Sequence, residues 1–251
     1  MRAPRAKALL LATLFGIAGI APSFAHQPLS LTSAAAKIST SPIIVDGTIS
    51  FAVTANFTKP GEKRYFRFAL QPGQELSAEY LIIDAKPTNA LSNSKLPKVS
   101  IISPSGKSIS MPITERTAFF EPWGKKNYFY LSRITRAGEV GVYTVVAESK
   151  AKSSIVIATG RSEVRGEVMT VGSKSRTCPA PIKSEGEISL TRAKQIIGIS
   201  ERAGEICASL NSWTYRVVAR DGEDFAVTMD YRSDRINVKI EANHIIDVTV
   251  G

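Results

Sequence analysis

Histidine, cysteine and tryptophan are scarce in this chain, with two of each in 251 residues. Little histidine means few of the usual general bases and little of the commonest metal ligand. His26 and His244 lie near opposite ends of the sequence, and His244 follows a turn-forming Asn, so neither a Ser-His-Asp triad nor a zinc site has material to build on. The run Ser105-Gly106-Lys107-Ser108 echoes a phosphate-binding loop but lacks its leading glycine. Asp46 and Asp84 have no ligand spacing around them that would make a calcium site. No catalytic residue, no metal and no cofactor is therefore expected, and the chain reads as a protein that is not an enzyme.

Long apolar runs are also missing, except for residues 9–20. That run follows Arg2, Arg5 and Lys7 and leads into Ser23-Phe24-Ala25, which places small residues where a signal peptidase reads. This is the secretory pattern, with 1–25 as signal peptide and cleavage after Ala25. The run is too short and wrongly flanked for a membrane span, and no later segment is apolar enough for one. The mature protein is expected to be secreted or periplasmic. Removing the leader takes away three basic residues and no acid, lowering the formal net charge from +10 to +7. The remaining charges are spread along the chain and mixed with acids, so no nucleic-acid partner is expected. Cys178 and Cys207 would meet an oxidising compartment, where one disulfide is the natural reading; two unrelated thiols are the alternative.

Residues 26–161 read as an antiparallel β-sandwich. The stretch 64–70 alternates, with Phe66, Phe68 and Leu70 on one face, and 99–102, 128–131 and 142–146 are short aromatic or β-branched runs. Pro60-Gly61, Pro72-Gly73, Gly124 and Gly138 punctuate them. The order of these turns and strands weakly resembles the bacterial pre-peptidase C-terminal sandwich domain. The ligand of this unit is left unknown. Trp123, between Pro122 and Gly124, reads as a core or turn residue, with stacking on a sugar as its alternative, and Trp213 as a core or edge anchor. Residues 162–186, with Gly172-Ser173 and Pro179-Ala180-Pro181, read as a linker.

Residues 187–251 read as a small α+β domain. Ser189 is a helix N-cap, with Leu190, Ala193 and Ile197 on one face; Gly198 interrupts, and Ser200 opens a second helix with Glu201 in its first turn. A strand at 215–219 is followed by a long polar stretch, 220–234. Next comes a cleanly alternating strand, 235–240, with Ile236, Val238 and Ile240 on one face and Arg235, Asn237 and Lys239 on the other. Asn243-His244 is expected to turn the chain into a last strand, 245–250. A loop that long in so small a domain costs conformational entropy, and function is the usual reason to keep it. Arg235 faces the loop and is placed to donate to Thr228 and Asp230, stiffening it. Taken alone, Met229 and Tyr231 read as packing under the loop.

The run Val227-Thr228-Met229-Asp230-Tyr231-Arg232, then Asp234-Arg235 and Gly251, resembles the potato inhibitor I family, which includes the eglins; Ser189 through Ile197 is similar to its helix. Arg216-Val217-Val218, Ala226 through Arg232, and Asp234-Arg235-Ile236-Asn237-Val238 resemble more closely the related fungal elastase inhibitor family. The resemblance implies a serine-protease inhibitor that inserts a rigid loop as a pseudo-substrate. The protease-binding loop would be Val227, Thr228, Met229, Asp230, Tyr231 and Arg232. Met229 would be the specificity residue and Met229–Asp230 the bond offered. Arg235 would brace the loop through Thr228 and Asp230. Asn237 would hold the second bracing position, where potato inhibitor I members usually carry Arg. An unbranched apolar side chain at 229 suits subtilisin-, chymotrypsin- or elastase-like partners and excludes trypsin-like ones. The competing expectation is an extracellular binding or adhesion protein in which the inhibitor-like domain is only a scaffold.

Overall fold

A computed structural model of the chain describes residues 26–172, 174–183 and 186–251. The expected signal peptide, 1–25, lies outside the described residues. Twelve strands come first: β1 (Gln27–Ser30), β2 (Ile43–Ile44), β3 (Phe51–Phe57), β4 (Lys63–Leu70), β5 (Glu75–Ile83), β6 (Lys98–Ile102), β7 (Ser108–Met111), β8 (Thr117–Glu121), β9 (Lys126–Ala137), β10 (Gly141–Glu148), β11 (Ser153–Thr159) and β12 (Val168–Met169). They form two six-stranded sheets, ordered β1-β3-β11-β5-β9-β8 and β12-β2-β4-β10-β6-β7.

The two sheets share one core because their strands alternate. Phe66, Phe68 and Leu70 of β4 meet Phe51, Val53, Leu76, Tyr80 and Ile155 of the other sheet within a single buried cluster. Phe68 stacks on its register partner Tyr143 with ring centroids 5.0 Å apart. The expected all-antiparallel pairing is corrected at two places: β1 runs parallel to β3, and β2 runs parallel to β4. Both partners are reached by long connections, and only a tight hairpin obliges neighbours to run antiparallel.

The C-terminal segment is a small helix-and-strand unit: α1 (Leu190–Ala193), α2 (Glu201–Leu210), β13 (Thr214–Arg220), β14 (Glu223–Asp224), β15 (Arg235–Glu241) and β16 (His244–Val250). Its sheet is ordered β14-β13-β15-β16. The first helix is shorter than the spacing predicts and passes straight into a 3-10 turn over Lys194–Ile196. A period of three then governs, so Ala193, Ile196 and Ile199 are buried while Leu190 is exposed and Ile197 only half-buried. Ser200 caps α2 by accepting from the Ala203 amide at 3.1 Å. The chain reverses at Ala242 and Asn243, both at positive φ, one residue earlier than expected.

The C-terminal unit lies on the outer face of the second sheet. Ile43, Val45 and Ala69 of that sheet pack in one cluster with Ile196, Ile206, Trp213, Ile236 and Val248. The stretch 162–186 is packed over much of its described length: β12 pairs with β2, and Met169, Val171 and Cys178 are buried in the same cluster. Cys178 forms a disulfide with Cys207 of α2. Among the described residues no helix is long and apolar enough to cross a membrane. The disulfide closes a segment of 29 residues, which constrains the unfolded chain by about 3–4 kcal/mol. Replacing both cysteines by serine should lower the unfolding free energy in urea by about that amount, and an unchanged urea midpoint would contradict it.

Candidate functional site

Strands β13 and β15 are parallel neighbours, with Thr214 opposite Arg235 and Arg216 opposite Asn237. A chain that leaves one strand and re-enters a parallel neighbour must travel back along its length. Asp221-Gly222, both at positive φ, first fold the tip of β13 into a tight hairpin with β14, so the long loop is shorter than the composition suggests. Residues 225–234 then make the return without a helix or strand. The hairpin already brings Phe225 back opposite Val218, where its amide donates to the Val218 carbonyl, so the remaining return to Thr214 is about 13 Å against a reach of about 33–36 Å for ten extended residues. Topology obliges the segment to run back along the strand but leaves it slack, so side-chain contacts must hold it.

Every residue from 225 to 232 is exposed, and Met229 is 98% exposed at the crest. The alternative in which Met229 and Tyr231 pack beneath the loop is not what is found; Tyr231 is 66% exposed. Beneath the crest Arg235 is 4% exposed, with two of its guanidinium nitrogens bonded to the loop and the third to Gly251. Its Nη1 donates to the Asp230 carboxylate at 2.9 Å, its Nη2 to the Asp230 carbonyl, and its Nε to the Gly251 carbonyl at 2.7 Å. Asp230 is therefore held by both its main chain and its side chain.

Thr228 is held differently from expectation. Its hydroxyl donates to the Asp230 carboxylate, and its carbonyl accepts from Arg216 Nη1 at 3.3 Å. Arg216, not Arg235, reaches this residue, from the neighbouring strand. The Asn237 Oδ1 accepts from Arg216 Nε at 2.7 Å, and the Asn237 Nδ2 donates to the Gly251 carbonyl at 2.6 Å. Asn237 thus fixes the direction of a second arginine instead of touching the loop itself. Arg216 also lies 3.7 Å from the Asp230 carboxylate.

On the far side of the crest Tyr231 donates its hydroxyl to Glu187, and Arg232 bonds to Asp234 at 2.8 Å and to the Thr214 hydroxyl at 3.3 Å. Val227 is half-exposed on the approach. Gly251 closes the bracket: it sits at φ +139°, and a Cβ there would come within 3.0 Å of the Tyr231 ring. Arg216 and Gly251 entered the sequence reading only as parts of the resemblance, with no role at the loop, and Glu187 only as the first residue of the unit. Arg216 and Glu187 gave no local signal, because their roles depend on strand pairing and on chain segments distant in sequence. Among the described residues no group of three or more His, Cys, Asp or Glu is placed to hold a metal.

The hydrogen bonds from Thr228 and Arg235 hold the Asp230 carboxyl down at about 2. A carboxylate depressed on folding stabilises its surroundings above its ordinary pKa, and that stabilisation fades as pH falls through the folded value. Amide protection across 227–232, relative to the intrinsic exchange rate at each pH, should therefore be flat from neutral pH to about 4 and fall between about 4 and 2, with Asp230→Asn removing the acid limb. Arg235→Ala deletes a buried donor to two backbone carbonyls and should destabilise the ordered loop by about 2 kcal/mol, a roughly 30-fold faster exchange of its amides. Arg216→Ala, from a side chain 21% exposed, should have the smaller effect in the same measurement.

Compared with models of protein families the chain matches none, and compared with curated proteins it likewise finds no match, so the reading of this loop rests on its residues and geometry.

Proposed function

We propose that this chain is an exported serine-protease inhibitor that offers the Met229–Asp230 bond as a pseudo-substrate, in the manner of the potato inhibitor I and fungal elastase inhibitor families. The observation that carries the reading is the pairing of a fully exposed Met229 with flanking residues, Thr228 and Asp230, that are tied down by two arginines. A protease cleft takes an extended peptide, and a free peptide loses entropy on entering it. A loop that is already braced loses little, which favours tight binding. After attack by the protease serine, the bracing would hold the new ends at 229 and 230 beside each other, so religation competes with release.

Met229 supplies an unbranched apolar side chain for a medium-sized specificity pocket, which points to subtilisin-, chymotrypsin- or elastase-like partners. An interface of about 1,600 Å² is the size such complexes use. The reading needs no cofactor and no chemistry from this chain. The Cys178–Cys207 disulfide supports an oxidising compartment, secreted or periplasmic.

Titration of the mature protein into subtilisin, chymotrypsin, elastase and trypsin tests the proposal. The expected outcome is stoichiometric inhibition of one or more of the first three, and transfer of inhibition to trypsin in Met229→Lys. Absence of inhibition, with the Met229–Asp230 bond ignored or rapidly cut, would discard this reading for a binding protein in which the unit is only a scaffold.

A further inference from the structure

The outer face of the first sheet, on the side away from the C-terminal unit, carries a cleft of about 310 Å³ that the inhibitor reading does not use. Its floor follows from the register. Pro28, Ala52, Ala158 and Glu79 lie in one row across four neighbouring strands, and Thr54, Val156, Leu81 and Tyr130 lie in the next. Outward side chains on the β1, β3 and β11 side are small, while the β9 and β8 side is aromatic, so the face is low at one end and walled at the other. Phe119 packs against Tyr130 with ring centroids 5.1 Å apart. Trp123 stands above them on the β8–β9 turn, 64% exposed.

Trp123 is held where it is. The Glu121 carboxylate accepts from the Trp123 amide at 2.8 Å and from the Gly124 amide, which locks the turn. An exposed tryptophan on a fixed turn, beside a shallow trough, has an apolar face with nothing against it. The polar groups of the cleft decide what would suit it. Two carboxylates and one ammonium line it: Glu121 is opposite Lys126 in register, and Glu79 is opposite Arg133, whose guanidinium is already paired with Glu115 at 2.8 Å. A strongly anionic ligand would meet an excess of carboxylate, and the single net negative charge of the lining calls for no strongly charged ligand. A purely apolar ligand would bury Glu79, Glu121, Lys126 and the Tyr128 and Tyr130 hydroxyls without partners. A neutral, hydroxyl-rich molecule with apolar faces satisfies both conditions. Its C–H faces stack on the rings, and its hydroxyls bond to the carboxylates, the ammonium and the phenols.

We propose that this cleft is a binding site for a neutral oligosaccharide, stacked on Trp123 and walled by Phe119, Tyr128 and Tyr130. The site would attach the protein to a glycan surface while the loop on the opposite side stays free for its own partner. Burial, with the nearby Glu121 and Glu79 carboxylates, raises the Tyr128 and Tyr130 phenols above their ordinary range, so both stay protonated as donors at neutral pH.

Tryptophan emission tests this directly, because Trp123 is exposed and Trp213 is buried. The probes are tetrasaccharides of the cello, xylo, malto and chito series, titrated into the full mature protein. At least one should give a saturable change, with Trp123→Ala weakening binding, by calorimetry, at least about tenfold at unchanged Tm. Thr54→Trp, which fills the floor without touching the wall, should do the same, and Met229→Ala should bind saccharide normally. No saturable change with any of the four up to about 10 mM would overturn the proposal. So would wild-type binding by Trp123→Ala, or a charged oligosaccharide such as a heparin tetramer binding at least about tenfold more tightly than every neutral one. None of these outcomes depends on whether the loop inhibits a protease.

Discussion

The parallel pairing of β13 with β15 is the constraint on which the rest of the C-terminal unit depends. Antiparallel strands would have been joined by a short hairpin and would have left no loop to present. Because they are parallel, the chain must return the length of the strand. It does so as exposed backbone, without the helix that usually fills such a crossover. The same pairing sets Arg216 beside Asn237 and brings Arg235 to the base of the loop, so the strands that force the loop to exist also carry the groups that hold it.

Two guanidinium groups beneath one exposed segment would repel each other. Asp230 lies between them, accepting from Arg235 and standing 3.7 Å from Arg216. A backbone oxygen of Gly251 accepts from both Arg235 and Asn237 and joins the two strands beneath the loop. Asp230 is itself half-exposed, so the directionality of these bonds, more than screened Coulomb attraction, holds the loop in place. The braces work only if the strands beneath them do not move. Ile236, Val238 and Ile240 anchor β15 in a core shared with the outer face of the second sheet, and the disulfide ties α2 to the segment that runs beneath it.

The molecule has two separate exposed features. The braced loop belongs to the unit covering the second sheet, and the aromatic cleft lies on the outer face of the first. They are built on different principles. The loop is made by chain topology and charge-assisted hydrogen bonds. The cleft is made by side-chain size along strand rows: small residues from β3 and β11 form the floor, and aromatic residues from β8 and β9 form the wall.

Alternation was enough to read the β-rich character, since Phe66, Phe68 and Leu70, or Ile236, Val238 and Ile240, announce a buried face by themselves. Ser200 as a cap was legible from its own side chain and its place before a helical run, whereas the exposure of Met229 was expected only from the family resemblance. Arg235 was legible because its strand faces the loop that immediately precedes it. What only the tertiary structure decided is non-local. It set the parallel direction of β1, β2 and β13 against their neighbours, the packing of the C-terminal unit on the second sheet, and the exchange of Arg216 for Arg235 at Thr228. It also gathered residues from six strands into one cleft. Periodicity along a chain records which face is buried, but it carries no information on which strand lies alongside, in which direction, or in what register. Those choices determine which arginine meets Thr228 and which residues stand beside Trp123.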